Sequence, residues 1–183
     1  MSDVLILVDL QNDYFPGGNM ALFETEKAAA NARLLLNMFR KNNLTIIHIR
    51  HLSLRPGATF FLPDTYGAEI NGMIAPERGE PVIVKNFPNS FRETALAAEL
   101  TKRKVDNLVI CGAMSHMCID STVRAAFDLG FHCQVAEDAC TTRDLVFNGK
   151  KVKASVVHAS FMAALSVAFA NVATTDAILN GDT

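Results

Sequence analysis

Short apolar runs alternate with longer stretches of helical period along this chain. DVLILVDL (3–10), LTIIHIR (44–50), PVIVK (81–85), NLVICG (107–112), HCQVAED (132–138) and NVATT (171–175) are short, bounded by polar residues and mostly rich in Val and Ile, and read as buried strands. Between them, residues from about Glu24 to Asn43 place Ala28, Leu35, Met38 and Phe39 on one helical face. Further helices are expected over Glu93–Arg103, Met117–Leu129 and a long stretch from about Lys151 to Phe169. Apolar strands alternating with helices imply a three-layer α/β/α domain, a Rossmann-like fold with a six-stranded, mostly parallel sheet covered on both faces. No repeat or composition break divides the chain, so residues 1–183 read as one domain.

Right-handed crossovers align the C-terminal ends of parallel strands along one sheet edge, and ligands bind there, near the reversal in strand order. One connection is unusually long. Residues 51–80 hold three prolines and four glycines without a sustained period, and loops of that length in compact domains tend to be functional. Phe60, Phe61 and Tyr66 within it suggest a wall or lid over a site, and a possible subunit contact.

The formal net charge is −2 and no dense basic run occurs, so neither a nucleic-acid nor a membrane surface is expected as a partner. Lys102-Arg103-Lys104 sits at the expected end of a helix, where cations suit the negative end of the dipole. No apolar run approaches the roughly 18 residues of a membrane span. The N-terminal apolar segment is too short, and too closely flanked by acids, for a signal peptide. Cys111, Cys118, Cys133 and Cys140 form no CxxC pair and no zinc spacing. These features point to a cytoplasmic chain with reduced thiols.

Asp9, His51, Lys85 and Cys118 follow the first four strands. An acid, an amine and a thiol at one sheet edge suit nucleophilic catalysis. A cysteine in the first turn of a helix gains from unpaired N–H groups and the dipole, which stabilise a thiolate. The same groups could hold an oxyanion, and Asp9 could take and return the thiol proton. Each residue also has an ordinary reading: inert packing for the cysteine, a turn for the aspartate, a solvated strand end for the lysine.

VDLQNDYF (8–15), VKNFPNSF (84–91) and CGAMSHMCIDSTVRAAFDLGF (111–131), in that order, resemble the Asp, Lys and Cys segments of the isochorismatase-like cysteine hydrolases, relatives of nicotinamidase and N-carbamoylsarcosine amidase. EDAC (137–140) and VVHASFMAALSVAFANVATT (156–175) are similar to the closing strand, helix and strand of that family, so the likeness spans nearly the whole chain. The resemblance implies Asp9 as general base and acid, Lys85 as its electrostatic partner and Cys118 as nucleophile. It also implies a cis peptide at Ala113–Met114, with the N–H groups of Met114 and Cys118 forming an oxyanion hole. The expected reaction is hydrolysis of a small amide, ureido or related carbonyl substrate through a Cys118 thioester, with no organic cofactor. Relatives further imply a homo-oligomer, a dimer or tetramer.

Metal-dependent relatives place an Asp-x-His pair after the second strand. Here that segment reads IIHIRHLS, and His48 and His51 project to opposite faces of a strand, so no metal site is expected. His51 reads as a loop or pocket residue and His48 as packed in its strand. Gln11, Tyr14, Phe61, Phe91 and His116 are the candidates for contact with substrate. Vinyl-ether hydrolysis of the isochorismatase type, driven by an acid without a thioester, and a non-catalytic small-molecule-binding role are the alternatives.

Overall fold

A computed structural model describes residues 3–182. Six strands, β1 (Asp3–Val8), β2 (Thr45–His51), β3 (Val82–Lys85), β4 (Asn107–Ala113), β5 (His132–Thr141) and β8 (Asn171–Ala173), form one sheet in the order β3-β2-β1-β4-β5-β8, and every pair is parallel. β6 (Leu145–Phe147) and β7 (Lys150–Val152) make a separate antiparallel hairpin. Val4 to Val8 in the central strand are almost completely buried, as a strand covered on both faces requires.

Moving from β1 to β2 runs one way across the sheet and moving from β4 to β5 runs the other. Right-handed crossovers therefore put α1 (Thr25–Lys41) on one face and α3 (Asp120–Asp128) on the opposite one. α4 (Ala154–Ser166) packs with α3, and α5 (Thr175–Asn180) packs with α1. α2 (Leu96–Lys102), which leads from β3 to β4, shares the α3 face by the same rule. Strand order reverses between β1 and β4, so the crevice beyond their C-terminal ends is where a ligand belongs.

Close approach of these two strands depends on Gly112. It has φ +126°, and a Cβ there would lie 2.1 Å from the Val8 carbonyl oxygen. The expected helix over residues 117–129 is preceded by a π-helical turn at Ser115–Ile119, and α3 starts only at Asp120. The hairpin and α5 were not foreseen: they are three- and six-residue elements in segments without periodicity. Among the described residues no helix is long and apolar enough to cross a membrane.

Candidate active site

Three strand ends and one turn build the site. After β1 the chain turns at Asp9, whose φ of 52° is left-handed, a conformation that Asp and Asn adopt more readily than other non-glycine residues. Its amide donates to the Ile49 carbonyl (3.1 Å), which anchors the turn on β2. β2 and β3 end side by side, with His51 opposite Lys85 in register. β4 ends in a cis peptide between Ala113 and Met114. The π turn that follows carries Cys118, and the Met114 carbonyl accepts from the amides of Met117 and Ile119.

Asp9 and Lys85 are both sealed from solvent, with Nζ 2.8 Å from Oδ2. The Lys85 ammonium donates to the carbonyls of Pro88 (2.9 Å) and Phe87 (3.2 Å) and lies 3.4 Å from His51 Nδ1. Nζ is within hydrogen-bond reach of Oδ2, whereas Oδ1 has no hydrogen-bond partner among the described residues. Oδ1 keeps a lone pair that can accept a proton. Burial pushes the Asp9 pKa up, but Lys85 and His51 more than offset this and hold it below its ordinary value. Burial likewise acts against the Lys85 charge, and Asp9 and Cys118 outweigh it, so the ammonium persists.

At Cys118 burial opposes the thiolate that a helix start favours. The side chain is buried, and that burial, reinforced by the Asp9 charge and only partly opposed by Lys85, pushes its thiol well above the ordinary range. The resting site is thus a carboxylate, an ammonium and a neutral thiol. Ligand atoms of Asp9, His51 and Cys118 lie within 4.8 Å of one another, a spacing that suits a metal ion. The Lys85 ammonium already sits against Asp9 and His51, so a divalent cation would meet a like charge there.

A cavity of about 310 Å³ opens over Cys118, walled by Tyr14, Phe60, Phe87, Met114, Met117 and His51, with Arg55 and Asn86 also on its lining. A larger hollow of about 520 Å³ beside Asn12–Asn19 and Tyr66 borders no cysteine, lysine or histidine, so chemistry rather than size selects the smaller one.

Among the residues expected to touch substrate, Tyr14 lines this cavity, and burial raises its phenol pKa, so it is neutral. Gln11 is fully buried: its Nε2 donates to the His51 and Ala68 carbonyls (both 2.9 Å) and its Oε1 accepts from the His51 amide (2.7 Å). Phe61 lies behind the wall, 4.5 Å from the Tyr14 ring, with its amide on the Asp13 carboxylate (2.6 Å); Phe60 takes the cavity position. Phe91 packs against the core and stacks on Phe131. His116 turns away to Thr142 Oγ1 (2.6 Å) and Phe161. His48 is packed in its strand, with Nε2 on Glu80 (2.8 Å). The sequence reading left Phe87 and Met117 out of the site, although each lies within two residues of Lys85 or Cys118.

Residues 3–177 match the family model of the isochorismatase domain. The chain belongs to the isochorismatase family. YddQ of Bacillus subtilis, an uncharacterized isochorismatase family protein, is 49% identical over 179 residues, covering 98% of this chain and 99% of YddQ. A crystal structure of a provisionally named isochorismatase hydrolase from Oleispira antarctica superposes with a TM-score of 0.95 at 48% identity, covering 98% of this chain and 97% of that one. N-carbamoylsarcosine amidase of an Arthrobacter species is 41% identical over 68 residues, 37% of this chain and 26% of the amidase. This isochorismatase-family protein is a hydrolase.

Proposed function

We propose that the protein hydrolyses the C–N bond of a small amide or ureido substrate through a thioester on Cys118. The observation that carries this reading is a sealed Asp9–Lys85 ion pair converging with a cysteine beneath a closed-in cavity. Burying two charges costs several kcal/mol per ion unless they are paired, and a carboxylate with an unpartnered Oδ1 close to a thiol is suited to moving that thiol's proton. The amidase named among the relatives supports a C–N bond as the target.

As the Cys118 sulfur bonds to the carbonyl carbon, its proton passes to Asp9. The Lys85 ammonium stays in place and stabilises the charge that leaves the carboxylate and develops on the sulfur. The Met114 and Cys118 amides are the donors we assign to the oxyanion. When the C–N bond breaks, Asp9 returns the proton to the departing nitrogen, and water then cleaves the thioester and regenerates the thiol. The cavity's aromatic and methionine wall favours an apolar or aromatic acyl body, and its volume restricts the substrate to a small one.

Ammonia release from a panel of primary amides and ureides, with aliphatic and aromatic acyl groups, tests this. Turnover is expected to favour apolar acyl groups and to vanish in Cys118→Ser. Turnover that survives that substitution refutes the thioester.

A further inference from the structure

The steps above leave His51 without a role, although it borders both the cavity and the ion pair. It is held in place by two neighbouring side chains. The Gln11 side chain grips its backbone on both sides, as a neighbouring strand would, donating to its carbonyl and accepting from its amide. Phe61 backs the ring at 5.9 Å. Nδ1 is turned toward the pair, 3.4 Å from Lys85 Nζ and 3.8 Å from Asp9 Oδ2. Nε2, on the far side of the ring, therefore faces away from the pair. Asp9 is sealed, whereas the His51 side chain keeps 15% exposure, so water reaches the imidazole more readily than the carboxylate.

Resting on the thioester reading, we propose that His51 is the general base that activates the hydrolytic water in the second half of the reaction. Once the amine has left with its proton, Asp9 is a carboxylate again and stands behind Nδ1, where it stabilises an imidazolium. Lys85, the like charge in that contact, is held by the Phe87 and Pro88 carbonyls. Tyr14, Arg55 and Cys118 are the other ionisable groups around the same cavity. With the ring proton on Nδ1, facing Asp9 Oδ2, the lone pair is on Nε2; a water O–H bond breaks and its proton goes to Nε2, while the oxygen bonds to the thioester carbon. The C–S bond then breaks, the sulfur takes the proton from the imidazolium, and the carboxylic acid leaves with Cys118 restored. Two bases divide the work: Asp9 serves acylation and His51 serves deacylation.

Stopped-flow kinetics with p-nitrophenyl acetate separates the halves, since the burst of p-nitrophenolate reports acylation and the steady rate reports deacylation. In His51→Gln and His51→Asn the burst rate is expected to stay within about threefold of wild type while the steady rate falls by about 100-fold or more. Acetyl-Cys118 should then accumulate toward one per chain in acid-quenched mass spectra, and free imidazole should restore the steady rate without changing the burst. If burst and steady rates fall together, His51 only supports Asp9 and the proposal is overturned. An unchanged steady rate overturns it as well. Failure of the thioester reading looks different: no adduct appears in any protein, and Cys118→Ser turns over like wild type, which removes the role of His51 with it.

Discussion

Replacing Lys85 with methionine keeps most of the side-chain volume and removes the ammonium that touches Asp9. At 2.8 Å and an effective dielectric of about 20, the lost attraction is about 6 kcal/mol. The variant does not bear all of it, because the stranded carboxylate can take up a proton. In wild type the Asp9 pKa lies below its ordinary 3.8, so its contribution to stability is complete above about pH 4 and is lost as the carboxylate is protonated. Without Lys85, desolvation dominates and the folded-state pKa rises above the unfolded one. The variant's deficit therefore grows as pH rises through that new value and shrinks toward acid. We expect a loss of about 3 kcal/mol at pH 8, measured by urea denaturation at pH 5, 6.5 and 8. Adding Asp9→Asn, which suits the left-handed backbone at that position, should return part of the loss by removing the unpaired charge. Equal stability of Lys85→Met and wild type at pH 8, or a double variant no more stable than Lys85→Met, would refute the account of a sealed ion pair.

Alkylation by iodoacetamide at pH 7 should be slow at Cys118 in the wild type, faster in Asp9→Asn and slower still in Lys85→Met, because Asp9 raises and Lys85 lowers the thiol pKa; peptide mapping gives the rates. Asp9→Asn should still turn over at least about 100-fold more slowly, so thiol reactivity and catalysis move in opposite directions. Away from the site, Glu80 is held by Arg40 (2.7 and 2.8 Å) and His48 (2.8 Å), and these partners and the Glu77 amide outweigh burial to bring its pKa from 4.5 to about 2. Glu80→Gln should therefore cost about 2–3 kcal/mol at pH 7, and the difference should fade as pH drops from about 4.5 toward 2, as followed by thermal unfolding. Gly112→Ala should cost at least about 2 kcal/mol in urea unfolding, since its methyl would meet the Val8 backbone at positive φ.

The sheet was legible because its central strands are continuous apolar runs, and the polar residues after the strands marked the edge where the candidate site lies. Asp9, Lys85 and Cys118 stood out that way, and their order in three segments carried the family resemblance. The pocket was harder to read. Which of Phe60 and Phe61 faces the cavity depends on a left-handed backbone at Phe61 and on an amide held by Asp13, 48 residues away. Gln11 reads as a neighbour of Asp9 in sequence, yet its contacts reach 40 and 57 residues along the chain. The thiol's surroundings were hidden for a related reason: a helix start favours a thiolate, while burial and the Asp9 charge, which depend on the whole fold, push the thiol pKa up.

The most direct test of the central claim is acid-quenched mass spectrometry of the protein mixed with p-nitrophenyl acetate for milliseconds to seconds, followed by peptide mapping. A transient acetyl group on Cys118, formed by wild type, lost in Cys118→Ser and strongly slowed in Asp9→Asn, is the predicted result. Product formation at the wild-type rate with no adduct on Cys118 at any time would contradict it.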